Sequence, residues 1–267
     1  DEERLHKTEY TQPALLASSV TIWRILQDKF NHHGISPLYL AGHSLGEYSA
    51  LVASGVINLK DAACLVHERG KLMTSAVLGM DTQMAAVLGL SDEQVISLCE
   101  SAKETVGIVN PANFNSPGQV VIAGTALGVS EVLTAVEALG KKAVLLKVSV
   151  PSHCELMNPA SEALAEILAK TTFNSAKIAV IQNRHACVHK ATSEIKTALT
   201  EQLSMPVQWA KTMQVLAEKH IDLLIECGPG NVLSNLAKRQ ATPILALPTD
   251  KLARLEKLDE QLGAKHE

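Results

Sequence analysis

Five residues, Gly42-His43-Ser44-Leu45-Gly46, constrain this chain more than any other stretch. They follow the apolar run Pro37-Leu38-Tyr39-Leu40-Ala41, which reads as a strand, and open into Glu47-Tyr48-Ser49-Ala50-Leu51-Val52-Ala53, which reads as a helix. Strand, sharp turn and helix form the setting in which Gly-x-Ser-x-Gly presents a serine hydroxyl at the mouth of a sheet. Both glycines are expected because such a turn has no room for a Cβ on either side of the serine. The first amides of the helix then face a developing oxyanion. A glycine-bracketed turn without chemistry is the alternative, and the flanking pattern on both sides argues against it.

Periodicity organises the rest. Pro13 to Phe30 carries apolar residues at helical spacing, with Pro13 suited to a first turn. Asp61 is placed to cap a helix running to Ala76. The segment from Met84 to Val148 then reads strand (84–90), helix (91–102), strand (106–110), a turn-rich loop over Asn113-Phe114-Asn115-Ser116-Pro117-Gly118, strand (119–123), helix (129–139) and strand (143–148). That β-α-β-β-α-β order is the ferredoxin-like pattern. It predicts a small domain over 79–148, inserted into a larger α/β domain made of 1–78 and 149–267. Beyond it come a helix at 161–170, a strand at 178–182, helices at 193–203 and 209–220, strands at 222–226 and 243–247, and an amphipathic tail from Lys251. Strands alternating with helices predict a mostly parallel sheet covered on both faces.

Composition excludes several classes. The 267 residues carry a net charge of -4 and are 46% hydrophobic, which argues against nucleic acid as the main partner. No apolar stretch reaches the roughly 18 residues of a membrane span, and no signal-peptide pattern opens the sequence. Five irregularly spaced cysteines suggest free thiols in a reducing cytoplasm. Neither CxxC nor HExxH spacing occurs, so no metal site is expected. With 3% aromatic residues, the core must be built from Leu, Val, Ile and Ala.

A serine nucleophile needs a base. His43 adjoins Ser44, but the elbow turns neighbouring side chains apart. His153 lies in Val148-Ser149-Val150-Pro151-Ser152-His153, a loop leaving the C-terminal end of a strand, where active sites of open α/β sheets sit. It is the candidate base. Its neighbour Cys154 is a weaker candidate, because sequence neighbours in a loop usually point apart. Arg69 shares a helix face with Leu65, Leu72 and Met73. A buried arginine needs a counter-anion, which a substrate carboxylate could supply. On spacing alone, an arginine snorkelling from the helix edge is the stronger reading.

The motifs Gly-His-Ser-Leu-Gly-Glu-Tyr-Ser-Ala-Leu (42–51), Arg69-Gly70-Lys71-Leu72-Met73, Asn113 to Gln119, Val150-Pro151-Ser152-His153, Pro206-Val207-Gln208-Trp209 and Glu226-Cys227-Gly228-Pro229-Gly230 stand in one order. With them, the sequence resembles the malonyl-CoA:acyl carrier protein transacylases of bacterial type II fatty acid synthesis over nearly its whole length. The resemblance implies an α/β-hydrolase-like large domain with a ferredoxin-like insert, and a cytoplasmic, monomeric enzyme without cofactor, metal, nucleic acid or membrane partner. Its partners would be malonyl-CoA and the phosphopantetheine of acyl carrier protein.

By the same resemblance, Ser44 forms a malonyl ester and His153 is the base. Arg69 pairs with the malonyl carboxylate, the Gln202 backbone carbonyl orients the histidine, and the Leu45 amide is one oxyanion donor. The family opens with a strand ending in a Gly-Gln-Gly-Ser-Gln turn that supplies a second donor. This sequence contains no such motif and starts past that element. Lys141, Lys142, Lys190 and Lys211 are candidates for a carrier-facing basic patch. Two rival enzymes remain open, a malonyl-loading acyltransferase of polyketide synthesis and an α/β-hydrolase esterase or thioesterase with water as acceptor. A third rival is an inactive carrier-docking subunit.

Overall fold

The computed structural model describes residues 2–264, so Asp1 and residues 265–267 of the range given to the large unit lie outside it. The fold is α/β with mixed sheets. α1 (Glu2–Leu5) leads into α2 (Thr8–His32), which buries Leu16, Val20, Trp23 and Leu26. The helix starts earlier than expected, so Pro13 lies in its interior rather than its first turn. Proline has no N–H to give the Glu9 carbonyl. That oxygen lies 2.8 Å from His67 Nδ1 instead.

β1 (Tyr39–Ala41) leads through the elbow into α3 (Leu45–Ala53), and α4 (Leu59–Ala76) follows. The cap of α4 is Asn58, not Asp61. Asn58 stands one position outside the helix, where its Oδ1 accepts the free Asp61 N–H at 2.9 Å while its Nδ2 donates to the Asp61 carboxylate at 2.7 Å.

β2 (Thr82–Leu88), α5 (Asp92–Thr105), β3 (Val109–Ser116), β4 (Gln119–Thr125), α6 (Ala126–Ala138) and β5 (Lys142–Leu145) form an antiparallel sheet of order β3-β4-β2-β5 with two helices. Ser91 and Gln94 form the capping box at the start of α5. The strands alternate. Ala85, Val87, Val120 and Ile122 pack under α5 and α6, whereas Met84, Ala86, Val121 and Ala123 join the core of the larger body. The segment expected as a loop over 113–118 is strand as far as Ser116, and only Pro117-Gly118 turns. Pairing overrides its polar composition: Asn113, Phe114 and Ser116 stand opposite Val121, Val120 and Gln119 of β4, and the Phe114 N–H also donates to the Val207 carbonyl at 3.0 Å and the Val207 N–H to the Ala112 carbonyl at 2.9 Å.

A short 3-10 turn (Glu155–Met157) precedes α7 (Asn158–Lys170), and β6 (Ala179–Gln182), β7 (Cys187–Val188), α8 (Thr192–Ser204) and α9 (Trp209–Glu218) follow. β8 (Leu223–Glu226), α10 (Val232–Ala237), β9 (Leu245–Pro248) and α11 (Leu252–Ala264) complete the chain. Parallel pairing runs β1 with β6 and β8 with β9. β7 pairs antiparallel with β6, as a strand returning after a short turn must. The expected single, mostly parallel sheet is therefore corrected. Among the described residues it is two separate sheets, flanking an apolar cavity of about 530 Å³ lined in part by Trp23, Leu40, Ala50 and Leu224.

Candidate active site

Ser44 occupies a backbone conformation that L-residues avoid, with φ 52° and ψ -112°. Three contacts hold it there. The Ser44 N–H donates to Asn183 Oδ1 at 2.6 Å, Asn183 Nδ2 donates to the Gly42 carbonyl at 2.6 Å, and the Glu47 N–H bonds the Ser44 carbonyl at 3.0 Å. A Cβ on Gly42 would stand 2.0 Å from the Gly46 carbonyl, so glycine is required there. Gly46 itself differs from expectation. A Cβ at that position meets nothing within 4 Å, because the close approach runs from Gly42 onto the Gly46 backbone and not the reverse.

His153, the expected base, faces Ser44. Its Nε2 lies 2.7 Å from Ser44 Oγ and its Nδ1 lies 2.6 Å from the Gln202 backbone carbonyl. A carbonyl oxygen only accepts, so Nδ1 carries the proton and Nε2 presents the lone pair. Burial, and secondarily the Arg69 charge, lower the His153 pKa to about 3. The ring is therefore neutral and basic at neutral pH. Its φ of 62° places it in the left-handed region, and its own N–H is fixed on the Leu203 carbonyl at 3.0 Å.

Arg69 does not snorkel. It is 2% exposed, with its guanidinium 5.5 Å from the Tyr48 ring centroid. Nη1 donates to Gln12 Oε1 at 2.7 Å, while Nη2 donates to Gln202 Oε1 at 3.0 Å and Ser44 Oγ at 3.4 Å. Every partner is neutral. Desolvation lowers the arginine pKa, and with only neutral hydrogen-bond partners the guanidinium offers a ligand carboxylate a place without a bonded anion. Gly70 makes the geometry possible. A Cβ on it would stand 2.5 Å from the Glu9 Cα, so α2 and α4 touch backbone to backbone and Gln12 reaches Arg69. An adjoining cavity of about 330 Å³ is lined by Ser44, Leu45, Arg69, Met84 and Ser152 among others, large enough for a small acyl group.

Other expectations sort cleanly. His43 turns away from Ser44, its Nε2 2.9 Å from Asn115 Oδ1 and its ring 5.5 Å from Trp209. Cys154 is buried, bonds the Pro151 carbonyl and has its thiol pushed up to about 12, chiefly by burial. Lys141, Lys142, Lys190 and Lys211 are all exposed. Sequence reasoning missed Gln12, Glu47 and Asn183, and the side chain of Gln202. One signal was available. Gln12 lies one turn from Leu16, and Gln202 follows Leu199 at i+3 on the stripe of Ile195, so both are polar residues on an apolar helix face. Asn183 follows a strand directly and gives no such sign.

A family model described as the acyl transferase domain matches residues 1–252. The malonyl CoA-acyl carrier protein transacylase of Salmonella typhimurium is 46% identical over 254 residues, covering 95% of this chain and 81% of that protein. The Escherichia coli K12 protein of the same description is 48% identical, covering 89% and 76%. Among solved structures, FabD from Acinetobacter baumannii superposes with a TM-score of 0.94 at 46% identity, over 99% of this chain and 83% of that one. A malonyl-transacylase in complex with a type II PKS acyl-carrier protein superposes at 0.93 with 44% identity, over 98% and 84%.

Proposed function

The chain belongs to the acyl transferase family, and from that membership we infer that it moves a malonyl group from malonyl-CoA to the pantetheine thiol of acyl carrier protein. The observation that carries the residue assignment is the position of Ser44 Oγ, 2.7 Å from a neutral imidazole nitrogen and 3.4 Å from a buried guanidinium.

In this reading His153 Nε2 takes the Ser44 proton as Oγ attacks the thioester carbonyl. The tetrahedral oxyanion accepts the Leu45 N–H at the start of α3, since the Ser44 N–H is already held by Asn183. Collapse breaks the carbon–sulfur bond. The imidazolium returns its proton to the departing coenzyme A thiolate, leaving a malonyl ester on Ser44. Arg69 pairs with the free carboxylate through its planar fork. The pantetheine thiol then gives its proton to His153 and attacks the ester, and the reverse sequence frees Ser44.

We assign the architecture in the same terms: a ferredoxin-like insert over 79–148 in an α/β-hydrolase-like body, with the β-α-β-β-α-β order in support. The reaction and the five free cysteines suit the cytoplasm. No described helix is long and apolar enough to cross a membrane.

Mass spectrometry after incubation with malonyl-CoA tests the reading. One malonyl unit is expected on the Ser44 peptide and none in Ser44→Ala; a malonylated Cys154 with Ser44 unmodified would overturn it. The solved relative bound to a polyketide carrier favours a second acceptor class, which transfer rates to fatty acid and polyketide carriers would separate. Rapid hydrolysis with no transfer to either carrier would return the esterase reading.

A further inference from the structure

One buried acid has no place in the reaction just described. Glu47 lies in the first turn of α3, three residues past the nucleophile, and is 1% exposed. One of its oxygens, Oε2, accepts two hydrogen bonds, from the Asn183 backbone N–H at 2.9 Å and from Gln202 Nε2 at 2.8 Å. The other, Oε1, is buried without a partner. A carboxyl in such a place is costly unless its contacts matter to the fold or the site.

Those two contacts lead to every reacting group. Asn183 is the residue whose side chain grips the elbow at Ser44 N and Gly42 O. Gln202 is held by Glu47 at one end of its amide. At the other end its Oε1 accepts from Arg69 Nη2 at 3.0 Å, and its Nε2 also donates to the Ser44 carbonyl at 3.1 Å. Its backbone carbonyl fixes the tautomer of His153. Asn183 follows β6, Gln202 lies on α8, and Glu47 belongs to the helix that starts at the nucleophile. A single oxygen atom thus joins three separately folded elements.

We propose that Glu47 is a positioning residue, whose carboxyl oxygen holds the Asn183 elbow clamp and the Gln202 amide in one register, so that Ser44, His153 and Arg69 are presented together. It touches neither substrate nor Ser44 Oγ. The requirement is for a hydrogen-bond acceptor at that point, which an acid or an amide both provide. The inference rests on the acyl-enzyme reading above and deepens it.

Rapid-quench acylation by malonyl-CoA, and labelling of Ser44 by a fluorophosphonate probe that carries no carboxylate, are measured side by side. Folding is checked by circular dichroism and melting. Glu47→Ala should slow malonyl acylation about a hundredfold, the scale expected when reacting groups lose an ångström of alignment. It should slow fluorophosphonate labelling as well, because the elbow clamp and the base share the tether. Glu47→Gln keeps an acceptor oxygen and should recover malonyl acylation to within about fivefold of the parent. If Glu47→Ala fails to fold, Glu47→Asp replaces it, keeping the charge but drawing the oxygen away from both donors. Parent-like rates in a folded Ala or Asp variant would overturn the proposal, as would a Gln variant as slow as Ala. If the unmodified protein forms no malonyl ester on Ser44, the acyl-enzyme reading fails instead, and the two failures are told apart.

Discussion

Nδ1 of His153 lies 2.6 Å from the backbone carbonyl oxygen of Gln202, so the proposed base is oriented by a neutral group where many serine enzymes place a carboxylate. No charge there favours the imidazolium. Burial and the Arg69 cation both oppose it, holding the His153 pKa at about 3. The acid limb of kcat/KM for malonyl acylation should therefore fall well below the ordinary histidine value of about 6.5. Initial rates from pH 4.5 to 8 check this, and a midpoint near 6.5 would contradict it. The same depressed pKa means the unfolded chain takes up a proton below 6.5 that the folded ring refuses. This contribution to stability is present above 6.5 and is lost on acidification.

Replacing Gln202 with alanine leaves the carbonyl that orients His153 but removes the side chain that bonds Arg69, Ser44 and Glu47. Malonyl acylation should drop by about tenfold or more, in line with the cost of stripping partners from buried polar groups. Acetyl acylation should drop less, since only the malonyl group uses Arg69. Parallel rates with the two thioesters decide this, and equal losses would place the whole effect on His153.

Arg69→Ala should cost malonyl acylation on the order of a hundredfold, corresponding to the 2–5 kcal/mol lost when one member of a buried, hydrogen-bonded charge pair is removed. Acetyl acylation should hold or rise. Arg69→Lys should rescue poorly, because an ammonium cannot keep Gln12, Gln202 and a carboxylate in one plane. A lysine variant with full malonyl activity would show that charge alone suffices.

Burial raises the Glu47 pKa from 4.5 to about 7, against the lowering effects of its two hydrogen bonds and of Arg69. Between those values the folded protein holds a proton that the unfolded chain has released. The contribution is thus fully present below about 4.5 and is lost as pH rises through 7. At about 1.4 kcal/mol per pH unit, this loss totals on the order of 3 kcal/mol. Denaturant melts of the parent and of Glu47→Gln over this range should show the parent curve falling more steeply toward pH 7. Parallel curves would mean that Glu47 stays ionised throughout.

The site was legible in the sequence where the chemistry is local. Gly42 to Gly46 announced a strained serine through one turn of backbone, and the apolar run from Met84 to Leu90 announced a strand, though not that its two faces serve two cores. Arg69 was ambiguous. Helical spacing places a residue on a face but does not tell whether a long side chain stays under the neighbouring helix or escapes along it. Asn183 and Glu47 were invisible for a different reason. Their bond joins positions 136 apart in sequence, and nothing near either residue encodes the other. The 113–118 segment reads as a loop because its residues are polar, yet Asn113, Phe114 and Ser116 stand opposite Val121, Val120 and Gln119 in a hairpin whose turn is only Pro117-Gly118.

Gly70 gives the acyl pocket a property that its lining does not reveal. The glycine sets the spacing of α2 and α4, and through that spacing it sets the reach of Gln12 to the guanidinium. Preference for one acyl group over another is then tunable at a distance. A single methyl group added between two helix backbones would force α2 and α4 apart and strain the reach of Gln12 to the guanidinium. Engineering for bulkier or uncharged acyl chains can therefore begin at the seam between helices, with every residue of the pocket walls keeping its identity.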